Sequence, residues 1–336
     1  MSERRVGQLS FADELVGSTM RGNQVLERIH ALVNWSEIEA LLSPLHAGRM
    51  GAPAYPSIVL FRALLLQQWF VLSDPALEEA LADRLSFRRF LGLPLSEKVP
   101  DHSTIWRFRE RLAHSGLAER AFVLIEQQIN KAGFILKRGT LIDATLIPSA
   151  VNAPEPPDGP QPLDRDGRPA SKLVKSPLDP DAAWTRSAKG EKYRFGYKAH
   201  VALDQISRIV RRVVFTPANI NDSSCGDSLI CGDERTLYAD KGYDSNARRA
   251  LLKAKGIRDG IMRRSNRWWP MSTWAIMRNK IIVKRRAPVE PLFALLKNVY
   301  GFARARYRGL ARNAASVHLA FTAMNLKRWA IMQNAT

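Results

Sequence analysis

Between Gly22 and Leu42, Val25, Leu26, Ile29, Leu32, Val33, Ile38, Leu41 and Leu42 recur three and four apart, with Trp35 among them. That spacing predicts amphipathic helix. After a Gly/Pro break from Gly48 to Pro56, the run Ile58–Phe70 is apolar almost all round and predicts a buried helix. Ser73-Asp74-Pro75 reads as a helix start with proline in the first turn, leading into Ala76–Leu85. A short segment ends at Gly92-Leu93-Pro94, and Pro100–Leu112 predicts a further helix capped by Asp101 or Ser103. Residues 1–132 therefore read as an all-helical domain.

The pattern then changes to short strand-like runs. Lys137–Ile147 is β-rich with Asp143 at its centre, and Tyr197–Asp204 and Ile209–Phe215 form a predicted antiparallel hairpin around Gln205–Arg208. Thr236–Asp240 is a short strand ending in an acid, Asp244–Ala254 a helix opening on Asp-Ser, and Ile257–Met262 a further strand. Helical sequence returns from Ala287 to Tyr300 and from Ala314 to Met332. The order, β-β-β-α-β-α, predicts an α/β domain over residues 133–336. Two segments stand apart. Residues 148–192, dense in Pro, Asp, Gly, Lys and Ser, read as a long mobile insertion without a core. Residues 263–287 are basic and aromatic, with Trp268, Trp269 and Trp274.

Charge sharpens the picture. From Lys241 to Thr336 there are 21 Lys and Arg against three acids, Asp244, Asp259 and Glu290, so this stretch carries nearly all of the +19 net charge. Such a surface calls for a polyanion, most simply nucleic acid. No apolar run approaches the roughly 20 residues of a membrane span. The start, Met-Ser-Glu-Arg-Arg, lacks a secretory apolar region, which points to a cytoplasmic protein without a membrane partner. Cys225 and Cys231 read as free thiols, because no zinc-spaced Cys/His cluster accompanies them.

Three acids stand out by context: Asp143 inside a strand, Asp240 at a strand end before Lys241-Gly-Tyr243, and Glu290 at a helix start within the basic field. Asp is depleted in strands and expensive to bury alone. Each acid singly could be a cap or an ion-pair partner. Together, on neighbouring strands and a following helix, they can converge on divalent ions that serve phosphodiester displacement. Pro288 and Pro291 place Glu290 in a helix's first turn rather than mid-helix.

The runs Thr140-Leu-Ile-Asp143-Ala-Thr145, Phe195-Gly-Tyr-Lys-Ala-His200, Asn219-Ile-Asn-Asp222, Ala239-Asp240-Lys-Gly-Tyr243, Val289-Glu290-Pro-Leu-Phe-Ala-Leu-Leu-Lys297 and Arg304-Ala-Arg-Tyr-Arg-Gly-Leu310 resemble bacterial DDE transposases, nearest to the insertion-sequence-5 group. Asp101-His-Ser-Thr-Ile-Trp-Arg-Phe-Arg109 resembles that group's helical N-terminal domain. The resemblance extends over Ile38–Trp329. It implies an RNase H-like catalytic core, catalytic and metal-binding roles for Asp143, Asp240 and Glu290, and Mg²⁺ as cofactor with Mn²⁺ able to substitute. It also implies double-stranded DNA partners, the element's terminal inverted repeats and its target, with a homo-oligomer to pair two ends on the bacterial nucleoid. The family's Tyr-Arg-Glu-Lys signature matches at Arg286, Glu290 and Lys297, while Val283 stands where Tyr is expected.

Further residues are candidates for DNA contact. Lys297 returns to the face of Glu290 two turns on, as a phosphate contact or a solvated lysine. Arg304, Arg306 and Arg308 alternate before Gly309 in a spacing suited to backbone phosphates, and Lys241 follows Asp240 directly. Trp268, Trp269 and Trp274 could stack on an unpaired base or pack in a core. Arg107, Arg109 and Arg111 cannot all face one side of a helix, so Arg107 is the DNA candidate there, in a helix-turn-helix or a dimerisation bundle. His200 and Asp222 are candidates for supporting the acids, or a structural histidine and a turn cap. The expected activity is cleavage at transposon ends and transfer of the 3′-OH strand into target DNA. The alternatives are a nuclease without strand transfer and a transposase-derived DNA-binding regulator.

Overall fold

The computed structural model describes residues 23–45, 54–154, 176–186, 193–265 and 270–334. The chain divides into two compact units, residues 1–135 together with 315–336, and residues 136–314.

Unit one is helical: α1 (Gln24–Leu32), α2 (Trp35–Leu42), α3 (Ser57–Phe70), α4 (Asp74–Asp83), α5 (Leu85–Leu91), α6 (His102–Ser115) and α7 (Leu117–Lys131). The expected first helix is two, because Val33 and Asn34 leave helical geometry and Asn34 starts α2. Caps fall where the sequence puts them. The side chains of Ser73 and Asp101 accept from Ala76 N and Thr104 N, and Gly92 and Gly116 end α5 and α6 in the left-handed conformation. Helix α3 is buried from Ser57 to Gln68, as its all-round apolar pattern requires. Arg109 is buried and donates both terminal nitrogens to Asp74, at 2.5 and 2.7 Å. Arg111 donates to Leu45 O, while Arg107 is exposed, so one of the three arginines faces solvent freely.

Unit two is built on a sheet of β1 (Thr140–Pro148), β2 (Ala183–Thr185), β3 (Arg194–Asp204), β4 (Val210–Pro217), β5 (Thr236–Ala239) and β6 (Arg258–Ile261). β1, β5 and β6 run parallel; β3 lies antiparallel to β1, and β4 antiparallel to β3. The short β2 pairs with the first three residues of β3 on the edge that β4 occupies further along. The order β4-β3-β1-β5-β6 with one reversed strand is the mixed sheet of an RNase H-like core, and it makes β1 central. The helices are α8 (Asp222–Cys225), α9 (Asn246–Ala254), α10 (Thr273–Arg286) and α11 (Val289–Asn298). The last helix, α12 (Leu310–Met332), starts in unit two and from Ala315 belongs to unit one.

Two expectations change. Residues 176–186, within the stretch read as coreless, are anchored: Asp179 is fully buried and accepts from Ser149 Oγ, Tyr197 OH and Gly309 N. Residues 155–175 and 187–192 lie outside the described residues. The basic segment 263–287 is mostly helix, because Ser272 caps α10 through Ala275 N and the side chain of Asn279 ties it to Arg263. No single described helix is long and apolar enough to cross a membrane.

Candidate active site

Side chains alternate along a strand and cross-strand partners share a face. One face of β1 carries Ile142, which packs with Ala202, Ala239, Leu229, Ile230, Leu252 and Ile257 in an apolar core. Asp143 points to the other face. Parallel pairing of β1 with β5 runs from Thr140↔Leu237 to Ile142↔Ala239 and stops. The next residues on the two strands are Asp143 and Asp240. Crevices beyond the carboxyl ends of parallel strands are where such sheets bind ligands.

Arg286, the last residue of α10, lies between the two acids. Its Nη2 donates to Asp143 Oδ2 at 2.7 Å, and Nη1 stands 3.8 Å from Asp240 Oδ1. The Arg286 side chain is 14% exposed and Asp143 27%, while Nε of Arg286 is buried without a partner. Burial pushes the Asp143 carboxyl above its ordinary range; Arg286 and the Ala144 N–H oppose this, and the charges of Asp240 and Asp222 add to it.

Asp240 leads directly into a one-turn 3₁₀ helix, Lys241–Tyr243. The Tyr243 hydroxyl is buried without a hydrogen-bond partner, and its pKa is raised by burial and then by the nearby charges of Asp143 and Asp222. Arg248 of α9 fixes this turn from behind. It is 3% exposed and donates to Tyr243 O at 2.6 Å, Ser223 O at 2.5 Å, Ser223 Oγ at 3.2 Å and Asp227 Oδ1 at 2.6 Å. The guanidinium lies flat over Gly226, where a Cβ would fall 2.6 Å from Arg248 Cζ. Neither Tyr243 nor Arg248 is a candidate from sequence. Arg248 reads there as one of two adjacent helix arginines, and its partners lie up to 25 residues away.

Glu290 stands in the first turn of α11, exposed, with Pro288 before it and Pro291 after. Among the described residues no three Asp, Glu, His or Cys side chains are grouped to hold a metal ion. The structure therefore brings Asp143 and Asp240 together through Arg286 but does not bring Glu290 into a ligand group with them. The donor set still fits a hard divalent cation: two carboxylates where the pairing of β1 with β5 ends, with a cationic group already drawn between them.

The remaining candidates separate. Lys297, in the last turn of α11, is half-buried, and its pKa is lowered by burial and then by Arg194. Lys241 and Arg308 are exposed and Arg306 half-buried, while Arg304 donates to Ser149 O at 2.7 Å and to Asn152. Asp222 pairs with Lys198 at 2.8 Å at the start of α8. His200, opposite Ala144, faces away from Asp143 into the apolar side; its Nε2 contacts Thr216 Oγ1 at 3.0 Å, and burial lowers its pKa to about 4. Trp274 on α10 is 66% exposed with the Arg278 guanidinium 5.9 Å from its ring, whereas Trp268 and Trp269 lie outside the described residues. Arg107 belongs to unit one. Cys225 and Cys231 are free thiols.

Compared with known families, residues 17–111 match the model described as Transposase domain (DUF772). Residues 136–326, more than half of the chain, match that described as Transposase DDE domain.

Proposed function

The chain belongs to the DDE transposase family, and from that premise we propose that it cuts DNA at the ends of its element and joins the freed 3′-OH to target DNA. Asp143, Asp240 and Glu290 are the acids of the reaction in this reading. One observation carries it: β1 and β5 stop pairing where Asp143 and Asp240 follow side by side, and a cation already bridges them.

Both steps displace one oxygen at phosphorus by another along a line, so no protein nucleophile is required. A hard divalent cation, Mg²⁺ or Mn²⁺, held by these carboxylates would supply the charge that activates the attacking oxygen and stabilises the leaving one. The protein's own part is placement. The central strand fixes Asp143, and the turn clamped by Arg248 fixes Asp240. Lys297, half-buried beside another cation, gains most from a phosphate oxygen. Lys241, Arg306 and Arg308 offer backbone contacts, and the exposed Trp274 offers a surface for an unpaired base. Because two ends must be cut and joined together, the working form contains at least two copies. Unit one, with Arg107 exposed on α6, supplies end binding or the contact between copies.

Purified full-length protein, end-sequence DNA and Mg²⁺ test the reading. Joined products are expected; nicks alone would assign a hydrolytic nuclease, and binding without cleavage a DNA-binding regulator. Asp240→Asn and Glu290→Gln are expected to abolish cleavage and keep DNA binding. Loss of binding in both variants overturns the catalytic assignment.

A further inference from the structure

Arg286 has two incompatible attractions. Its Nη2 lies 2.7 Å from Asp143 Oδ2, inside the space a carboxylate-bound cation would fill, and Nη1 is drawn toward Asp240. A guanidinium and a divalent cation cannot use the same oxygens together. The hold on Arg286 is also incomplete: one short hydrogen bond, one ion pair at 3.8 Å, and a buried Nε with no partner. Such a group leaves readily for an acceptor that satisfies more of its donors, and a phosphate oxygen pair does so in fork geometry. Arg286 stands at the end of α10, beside the break before α11, and follows Lys284 and Arg285 in the same last turn. A DNA backbone attracted to the exposed Lys284 and Arg285 comes to the same end of α10.

We propose that Arg286 couples DNA binding to metal loading: it occupies the aspartate pair in the free protein, moves to a DNA phosphate when substrate docks, and so opens the carboxylates to the divalent cation. The inference rests on the assignment of Asp143 and Asp240 as metal-holding residues. Linkage makes it reciprocal, so metal also tightens DNA. The consequence is protective, because a positively charged chain that meets DNA everywhere loads its cation fully only when the phosphate sits where Arg286 can reach it.

The experiment measures Mn²⁺ binding to the full-length chain by the loss of the free-ion paramagnetic resonance signal, with and without a short DNA duplex. Exchanging an ion pair with a charged hydrogen bond corresponds to roughly tenfold or more in affinity. Arg286→Gln is therefore expected to bind Mn²⁺ at least about tenfold more tightly than wild type without DNA. DNA should tighten Mn²⁺ binding to wild type by a similar factor and leave Arg286→Gln nearly unchanged. Arg286→Lys, which keeps the charge but cannot fork across two acceptors, should fall between them. If Arg286→Gln loses its fold, as judged by circular dichroism, wild type and Arg286→Lys with and without DNA still decide: absence of any DNA effect in wild type overturns the coupling. Equal or weaker Mn²⁺ binding in a folded Arg286→Gln overturns it as well. Asp143→Asn separates the two levels. If it binds Mn²⁺ as wild type does, the metal assignment itself fails and the coupling falls with it; if it loses Mn²⁺ while Arg286→Gln gains nothing, the coupling alone fails.

Discussion

Replacing Arg248 with Met tests whether the turn after Asp240 is held from behind. Methionine keeps an unbranched stem for packing but removes every donor. The buried Tyr243 O loses its bond to it, whereas Ser223 O keeps the backbone N–H of Gly226. Each buried acceptor left unsatisfied costs about 1–3 kcal/mol. The pair with Asp227 adds little, because that carboxylate is mostly exposed and screened. A local loss of about 2 kcal/mol follows, a sizeable part of the roughly 5–15 kcal/mol that holds a domain folded. Native-state hydrogen exchange on peptides covering residues 236–254 of the full-length chain reads it as about thirtyfold faster opening. Gly226→Ala supplies an independent perturbation. Gly226 has φ −61° and ψ −37°, which alanine adopts freely, so its nearest obstacle is Arg248 at 2.6 Å from the new Cβ. The substitution should destabilise the wild-type background and be nearly silent with Met at 248, a coupling of about 1–3 kcal/mol in the double-mutant cycle. Unchanged exchange in Arg248→Met, or an equal effect of Gly226→Ala in both backgrounds, would refute the clamp.

Two other predictions concern stability. His200 is neutral in the fold, with its pKa lowered to about 4 from 6.5 by burial. Between those values the unfolded chain binds the extra proton, so stability is complete above about 6.5 and falls with falling pH, by roughly 3 kcal/mol at the lower end. Calorimetry should show a shallower dependence over that window in His200→Gln, whose amide can still meet Thr216; equal slopes would contradict the assignment. In unit one, Arg109→Met leaves the partly buried Asp74 with the Gln67 amide but without its cation and is expected to cost about 3 kcal/mol in urea unfolding followed by tryptophan fluorescence, whereas Asp74→Leu with Arg109→Met should recover part of it.

What the sequence revealed divides along range of contact. Helix caps at Ser73 and Asp101, the hairpin turn after Asp204 and the buried helix α3 are decided within a few residues, and local pattern was enough to read them. Asp143 was conspicuous because an acid inside a β-rich run violates strand preference. Asp179 was not, since it sits among acids, prolines and glycines in sequence, and its partners Ser149 and Gly309 are 30 and 130 residues distant. Helix α10 escaped notice because its inward side carries Asn279, Arg278 and Arg286 beside Ala275 and Ile282, so polar anchors interrupt the apolar stripe that marks a helix.

The same reasoning explains why Glu290, the acid most out of place in a basic field, stands exposed. Arg286 and Glu290 carry opposite charges on the two sides of one helix break at Ala287-Pro288. Asp143 already has its carboxyl pushed up by burial and by Asp240 and Asp222, with Arg286 opposing them. Bringing a third carboxylate to this place while losing the guanidinium would change the local charge by two units in the unfavourable direction. Only an added cation makes that exchange favourable. On the proposed assignment of Glu290 as the third acid, it stays outside while Arg286 faces the aspartate pair, and a divalent ion in place of the guanidinium would let it in. On that proposal the short spacing from Arg286 to Glu290 would set an order of events as well as a set of ligands.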